Sequence, residues 1–292
     1  MTEARLRLFD AIEPGDLYWS DQFAKFGETE LLGRILGGAY DDSKRSARRI
    51  QARLKERSIS ELVSEIEASG SEFLTPESER WPHSLDDLTA PPIALIVRGV
   101  LPKCDSIALV GTRNPTTYGA RIASDFAAGF TDRNLGVISG GAYGIDTHAH
   151  RGALAAEGQT FAILASGVSV RYPAGNERLF EEILENGGLI SEVMPNERAR
   201  PERFLTRNRL IAALSRSTIV VEAAFRSGSL RTARDAAELL RVVLAVPGPI
   251  TSPTSDGCHR LIGERAAEIV TSVADALELI GLSACTLCGD GT

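Results

Sequence analysis

Three glycine- and hydroxyl-rich segments of this chain could bind an anion. Gly111-Thr112-Arg113 follows the apolar run IALV, residues 139–146 (SGGAYGID) follow GVI, and residues 227–232 (SGSLRT) come shortly after TIVV. Glycine lets backbone amides approach an anion closely, and a helix that begins after such a turn adds unpaired N–H donors. Arg113 could contact a phosphate through two guanidinium nitrogens. The three segments therefore predict binding of an anionic group such as a phosphate.

The candidate binding residues share small or polar side chains, or a guanidinium, close to a loop or a helix start. They are Gly111, Thr112, Arg113, Ser139, Gly140, Gly141, Ala142, Gly144, Asp146, Arg207, Asn208, Arg209, Ser227, Gly228, Ser229 and Thr232. We expect Ser229 to be the N-cap of a helix and Thr232 to lie in its first turn. Arg203 and Arg207 are four residues apart, so on one helix face they could follow a sugar-phosphate backbone.

Each of these features also has a purely structural interpretation, which the residues alone leave open. Arg113 could pair with a carboxylate on the surface, and Ser229 could do no more than cap a helix. Glycines in a turn can serve only to let a helix pack closely against a strand. A structural account does not, however, require three such loops in one chain.

The glycine spacing argues against a dinucleotide cofactor. Gly140, Gly141 and Gly144 do not form the GxGxxG pattern, and no acidic residue ends a following strand to hold a ribose. His148 and His150 are two residues apart, so on a helix they point to different faces and cannot share a metal ion. We expect neither a cofactor nor a metal site.

A parallel sheet would bring the three segments to one edge. Short apolar runs that predict strands occur at residues 107–110, 137–139, 160–164, 189–191, 218–221 and 242–246. Helical segments fit between most of these runs, and continuous apolar strands separated by helices imply a parallel sheet covered on both faces. The predicted fold class is therefore α/β, with a Rossmann-like, doubly wound, mostly parallel sheet. Ligands of such sheets bind at the carboxyl ends of the strands.

The first 70 residues predict a small all-helical domain. Helical patterns cover residues 6–12, 16–26, 29–36, 43–56 and 60–68, and Ser58 to Glu61 suits a helix N-cap. The proline-rich segment that follows cannot be one long helix and contains one short predicted strand, at 93–97. The predicted organisation is a helical domain at 1–70, an extension at 71–105, the α/β domain at 106–282 and a tail at 283–292.

Composition favours a folded cytoplasmic protein. The chain has 292 residues, of which 43% are hydrophobic, so it can bury a large core. No uncharged apolar stretch reaches the roughly 20 residues of a membrane helix, and the first ten residues lack the apolar region of a signal peptide. Cys104, Cys258, Cys285 and Cys288 are expected to be free thiols, because the single CxxC has no second pair to complete a zinc site.

The formal net charge of −7 argues at first against a nucleic-acid partner, but the charge is unevenly distributed. Residues 43–57 contain seven basic side chains against one glutamate, and residues 196–216 contain six arginines against two glutamates. Such segregation allows basic binding surfaces on an acidic protein. For residues 43–57 we favour the simpler interpretation that the run is a solvated helix face.

Eight motifs occur in an order and spacing that resemble one family. They are LVGTR, SGGAYGIDTHAH, YPAGN, GLISE, RNRLIAALS, VVEA, SGSLRTA and VLAVPG. Together they resemble the DNA-processing protein A (DprA/Smf) family, strongly over residues 73–282 and more weakly in the helical N-terminus, which would then be SAM-like. The resemblance implies a homodimer that binds single-stranded DNA in a positively charged pocket, protects it, and helps to load RecA recombinase during natural transformation.

The resemblance also assigns roles to individual residues. By motif, Arg113 would contact backbone phosphates, the turn at 139–146 would line the pocket, and Arg207 and Arg209 would support it. Two departures bear on this assignment. Ala174 stands where relatives often carry a lysine, and Cys258-His259 stands where relatives tend to have Thr-Asn.

The leading hypothesis is a DNA-binding recombination mediator without enzymatic activity. The alternative is a nucleotide-binding enzyme or sensor of a related Rossmann-like fold, because Glu222 lies at a predicted strand end. Against the alternative, the sequence shows no nucleophile–base pair and no metal-ligand cluster. A protein that acts only as a scaffold would leave the glycine-rich loops unexplained.

Overall fold

The computed structural model describes residues 2–40, 47–102 and 105–282. The chain divides into two compact units. The smaller unit comprises Met1–Arg98, Leu164–Val170 and Ile190–Thr206, and the larger unit comprises Gly99–Ile163, Arg171–Leu189 and Arg207–Thr292. Within the described ranges, no helix is both long and apolar enough to span a membrane.

The smaller unit begins with four helices and a short antiparallel strand pair. The helices are α1 (Glu3–Ala11), α2 (Leu17–Leu36), α3 (Ala47–Glu56) and α4 (Ile59–Ala68), and the strands are β1 (Glu72–Leu74) and β2 (Leu95–Gly99). In the strand pair, Phe73 lies opposite Ile96. A cluster of buried side chains that includes Leu8, Trp19, Leu31 and Ile50 joins the first three helices.

Local sequence signals set the helix boundaries. Ser58 caps α4 as predicted, because its hydroxyl accepts from the Glu61 amide while its own amide donates to the Glu61 carboxylate at 2.7 Å. The two helices predicted at 16–26 and 29–36 form α2, and Gly27 between them has a non-helical φ of 69°. The helix predicted from residue 43 begins at Ala47 in the described residues, and residues 43–46 lie outside them.

Several arginines of the two basic runs are paired with carboxylates of the smaller unit. Asp10 accepts from Arg53 at 3.0 Å and from Arg57 at 2.8 Å, and Glu13 accepts from Arg203 at 2.9 Å. Burial raises the pKa of the Asp10 carboxyl, and the two guanidiniums oppose that shift. The solvated face expected for residues 43–57 is therefore wrong for Arg53 and Arg57. Arg203 is buried and ion-paired, so it is not placed to follow a sugar-phosphate backbone.

The larger unit contains the parallel sheet. The remaining strands are β3 (Ser106–Val110), β4 (Gly136–Ser139), β5 (Thr160–Leu164), β6 (Gly188–Ser191), β7 (Ser217–Val220), β8 (Val242–Ala245) and β9 (Glu268–Ile269). Six of them follow the order β5-β4-β3-β7-β8-β9, and every neighbouring pair in that order is parallel. The strand order reverses between β3 and β7, so the sheet is doubly wound and the predicted fold class is confirmed.

Helices alternate with these strands along the chain. They are α5 (Thr117–Thr131), α6 (Ile145–Ala155), α7 (Glu177–Asn186), α8 (Pro201–Ala213), α9 (Ser229–Glu238), α10 (Asp256–Gly263) and α11 (Val273–Leu279). Side chains of β3, β4 and β7 pack with α5 and α6 in one core, which includes Leu109, Phe126, Phe130, Val137 and Ile219. The switch between β3 and β7 is the point at which a doubly wound sheet forms its ligand crevice.

The α5–α6 contact depends on a glycine. A Cβ on Gly152 would lie 2.7 Å from the Ser124 Cα atom, closer than side-chain carbons approach a backbone. We expect Gly152→Ala to push the helices apart and to lower the free energy of unfolding by about 1–3 kcal/mol. The exposed Gly33 in α2 has no atom within 4 Å of its Cβ position, so Gly33→Ala should raise stability by up to about 1 kcal/mol. Thermal and urea unfolding would measure both, and equal effects would contradict the packing argument.

Candidate nucleic-acid interface

The three predicted loops meet at the carboxyl edge of the sheet. The Thr112 amide in the loop after β3 donates to the Glu222 carbonyl after β7 at 2.7 Å, and the Ile145 amide at the start of α6 donates to the Thr112 carbonyl at 3.1 Å. Gly144 has a φ of 83°, and a Cβ there would lie 2.7 Å from the Arg113 Cα atom. The loop that carries Arg113 is therefore held between the other two by backbone contacts.

The glycine-rich turn after β4 binds a carboxylate of its own chain. Asp146 Oδ2 accepts from the Gly140 amide at 3.1 Å and from the Ala142 amide at 3.3 Å, and the Asp146 side chain is buried. These two amides are thus occupied, although the sequence predicted that the turn would offer its amides and Asp146 to a ligand. In the part of the chain that the structure describes, the amides of Gly141 and Gly144 donate no hydrogen bond.

Arg207 lies behind this turn. Its Nη1 donates to the Gly140 carbonyl at 2.7 Å and also to the Ile163 carbonyl, and a Cβ on Gly140 would collide with the guanidinium. Burial lowers the pKa of Arg207 to about 10, while it raises the pKa of the Asp146 carboxyl against the attraction of Arg207. The sequence predicts Arg207 among the phosphate-binding residues, but in this structure its guanidinium contacts the Gly140 carbonyl in the turn and the Ile163 carbonyl in β5.

Asn176, which sequence reasoning did not select, fixes the other side of the turn. Its side-chain amide donates to the Gly141 carbonyl at 3.0 Å and to the Thr147 hydroxyl at 2.8 Å. Thr147 in turn donates to the Ala142 carbonyl at 2.8 Å. The signal for it is the motif YPAGN, in which Asn176 follows Ala174 by two residues.

The loop after β7 has its own internal hydrogen bonds. The Ser229 amide donates to the Ser227 hydroxyl at 3.3 Å, and the Asn208 side chain donates to the Gly228 carbonyl at 3.2 Å. The N-cap of α9 is Gly228, without a side-chain capping bond, and Ser229 is the first helical residue. The predicted N-cap was therefore one residue too late, because the Ser227–Ser229 contact turns the chain earlier. Thr232 lies in the first turn as predicted, and it is buried.

Glu222 is occupied by the start of α5. One carboxylate oxygen accepts from the Thr116 amide at 2.9 Å, and the other accepts from the hydroxyls of Thr116 at 2.6 Å and Thr254 at 3.2 Å. Thr116 is the N-cap of α5, where a negative charge is favourable. Because the side chain is 2% exposed, Glu222 serves the fold at this position rather than presenting a free carboxylate.

The structure separates the predicted residues into an exposed rim and a buried support. Arg113 and Gly228 are exposed, and Gly111, Thr112, Ala142, Gly144, Arg209 and Ser227 are half-buried. The buried residues are Ser139, Gly140, Gly141, Asp146, Arg207, Asn208, Ser229 and Thr232. Only the first two groups are accessible for direct contact with a ligand in this conformation.

The two departures from the family pattern have different surroundings. Ala174 is exposed, so its short side chain leaves surface space where a longer one would project. Cys258 is buried, its thiol lies 3.5 Å from the Val220 carbonyl, and burial raises its pKa to about 12. Cys258 is therefore a core side chain that stays protonated. Cys104, Cys285 and Cys288 lie outside the described residues.

Comparison with known proteins agrees with the eight motifs. A sequence model of the family described as DNA recombination-mediator protein A matches residues 72–281. The putative DNA processing protein DprA of Mycobacterium tuberculosis H37Rv is 44% identical over 227 residues, which cover 73% of this chain and 58% of that protein. The DNA processing protein DprA of Streptococcus pneumoniae R6 is 41% identical over 199 residues, which cover 68% and 70%.

This chain belongs to the DNA recombination-mediator protein A family. The resemblance inferred from the motifs is thus confirmed, although this family member spans less than two thirds of the length of its mycobacterial relative. The X-ray structure of DprA from S. pneumoniae matches with a TM-score of 0.81 and 33% identity over 95% of this chain and 98% of that one. A Helicobacter pylori DprA structure, described for its single-stranded DNA binding mode, matches with a TM-score of 0.64 and 28% identity over 72% and 96%.

His150, in the helix after the glycine turn, predicts a specific pH dependence of stability for this family member. His150 in α6 is buried beside the Thr160 hydroxyl at 2.7 Å, and burial, with a smaller effect of Arg207, lowers its pKa from 6.5 to about 3. Below about pH 6.5 the unfolded chain binds a proton at His150 that the folded chain does not bind. The free energy of unfolding therefore decreases by about 1.4 kcal/mol for each unit by which the pH is lowered.

Between pH 6.5 and pH 5, His150 should thus lower the free energy of unfolding by about 2 kcal/mol. Urea titrations across this range would show a shallower fall for His150→Leu than for the unsubstituted protein. His83→Gln removes an imidazole whose own side chain is 78% exposed, and it is the control for the loss of a histidine as such. An identical slope for His150→Leu would refute the assignment.

Proposed function

We propose that this chain binds single-stranded DNA along the loops at the carboxyl edge of its parallel sheet. The observation that carries the proposal is the junction of three loops, which presents exposed Arg113 beside the unbonded amide of half-buried Gly144. Guanidinium and amide donors together suit phosphate oxygens. Membership of the recombination-mediator family, and the H. pylori relative described as binding single-stranded DNA, support the same ligand.

The chemistry of this edge favours contacts to the sugar-phosphate backbone. Arg113 and Arg226 are exposed on adjacent loops, and a guanidinium suits phosphate oxygens. Binding should therefore tolerate different sequences and weaken as salt rises. With two or three neutralised phosphates, the logarithm of the affinity should fall with the logarithm of salt concentration with a slope of about 0.7 per phosphate.

We further propose a binding role without catalysis. The carboxylates nearest the loops, those of Asp146 and Glu222, accept hydrogen bonds from backbone amides or threonine hydroxyls, so their oxygens are committed to the fold. A homodimer in the cytoplasm that protects incoming DNA and delivers it to RecA during natural transformation is the specific role that we propose within the family. A RecA filament-assembly assay on protein-coated single strands would test the delivery step.

The first experiment is fluorescence anisotropy of a labelled oligothymidine strand at several salt concentrations. Duplex DNA and free mononucleotides serve as competitors. We expect salt-sensitive binding that prefers the single strand and resists competition by mononucleotides. Absence of DNA binding, together with thermal stabilisation by a mononucleotide, would instead favour the nucleotide-binding enzyme or sensor.

Substitution of Arg113 tests the position of the site. We expect Arg113→Ala to weaken oligothymidine binding about tenfold or more, because a hydrogen bond to a charged group contributes about 1.5–3 kcal/mol. Arg216→Ala is a matched control, because Arg216 directly precedes β7 at the opposite edge of the sheet and is similarly accessible. Equal affinity of the Arg113 variant and the unsubstituted protein would remove the site assignment.

A further inference from the structure

Two large aromatic side chains are exposed on the same edge loops. Tyr143, in the glycine turn after β4, is 49% exposed, and Phe225, in the loop after β7, is 52% exposed. Isolated apolar side chains on a surface are common and need no explanation. These two differ because both lie on the loops that flank Arg113, where the proposed function places a polyanion.

The sheet order fixes the sequence of these groups along the edge. β3 lies between β4 and β7, and the three strands are parallel. Neighbouring strands of a sheet are about 4.8 Å apart, so the loops that follow them emerge side by side. The Tyr143 loop, the Arg113 loop and the Phe225 loop therefore follow one another in that order.

Both rings are held in place by specific contacts. The Tyr143 hydroxyl accepts from the Gly175 amide at 3.1 Å, and a Cβ on Gly175 would lie 2.6 Å from that hydroxyl. The Arg260 guanidinium lies 4.7 Å from the centroid of the Phe225 ring, and its Nε donates to Glu264 at 2.7 Å. Each ring is thus anchored on one side while about half of its surface faces solvent. An anchored ring loses less conformational freedom when a ligand stacks on it.

The charge beside Phe225 also suits a nucleic acid. Arg226 is exposed, and it forms no ion pair with any residue that the structure describes. Arg260 already stacks on the ring from one side. An exposed aromatic ring with an exposed arginine next to it in the chain offers a base a stacking surface and offers the adjoining phosphate a cation.

We propose that Tyr143 and Phe225 each stack against a base of the bound strand, on either side of the phosphate contact at Arg113. The inference rests on the proposed binding of single-stranded DNA and adds the groups that contact the bases. Every base has a π face, so stacking tolerates any sequence. Bases of a duplex are already stacked on their neighbours, so these two rings would also make the site select single strands.

The test compares an oligothymidine strand with an abasic strand of the same length and charge. Both strands offer the same phosphates, and only the first offers bases. We expect the unsubstituted protein to bind oligothymidine about tenfold more tightly or better, and Tyr143→Ala and Phe225→Ala each to lose much of that preference. Affinity for the abasic strand should change little in either variant.

Three further measurements make the result specific to the rings. Tyr143→Phe keeps the ring and should retain most of the preference for bases. Leu240→Ala removes a side chain that is 94% exposed just before β8, at the opposite edge, and should change neither affinity. A strand that contains 2-aminopurine should lose fluorescence on binding to the unsubstituted protein, which tests stacking even if an alanine variant does not fold.

The outcomes separate this inference from the function on which it rests. If neither strand binds the unsubstituted protein, the proposed DNA-binding function fails. A second outcome combines three results: both strands bind equally, the alanine variants bind like the unsubstituted protein, and 2-aminopurine is not quenched. In that case binding to the DNA backbone stands, and the proposed stacking by Tyr143 and Phe225 is wrong.

Discussion

The candidate site depends on the hydrogen bonds that the Asp146 carboxylate accepts inside the glycine turn. The Arg207 guanidinium lies behind that turn. The turn needs positive φ at Gly141 and Gly144, and it aims the amides of Gly140 and Ala142 at one point. Converging buried donors are unstable without an acceptor, and Asp146 supplies it. Arg207 then donates to the Gly140 carbonyl in the turn and to the Ile163 carbonyl in β5. Removing the Asp146 acceptor would leave the turn amides without a hydrogen-bond partner, which typically costs about 1–3 kcal/mol for a buried group.

This internal carboxylate changes how a glycine-rich turn can act. In many phosphate sites the turn amides bind the ligand directly, but here an internal carboxylate has taken two of them. A ligand can reach only the rim, which Arg113, Gly144 and Gly228 share with the rings of Tyr143 and Phe225. A shallow rim that extends over three loops suits a polymer that makes several weak contacts better than a small nucleotide that needs an enclosing pocket.

The sequence alone was sufficient for the central strands of the sheet and insufficient for the site. Buried parallel strands are continuous apolar runs, so all six strands predicted for the sheet appear within one or two residues of their expected bounds. The loops could be placed at one edge because parallel strands share a direction. The short β1 and β9 were missed because two or three residues carry no periodic signal. The inward direction of Asp146, and the roles of Asn176 and Glu222, depend on partners far away in the chain, which spacing does not reveal.

Charge shows the same dependence on distant partners. Arg53, Arg57 and Arg203 of the two basic runs pair with Asp10, Glu13 and Glu197, so part of the apparent positive charge of those runs is neutralised within the fold. With a net charge of −7 the protein as a whole repels a polyanion, so attraction depends on local exposed guanidiniums. Attraction must come from a few guanidiniums at fixed positions, and non-ionic contacts must supply the rest. The exposed, anchored rings of Tyr143 and Phe225, beside Arg113 and Arg226, can supply these non-ionic contacts.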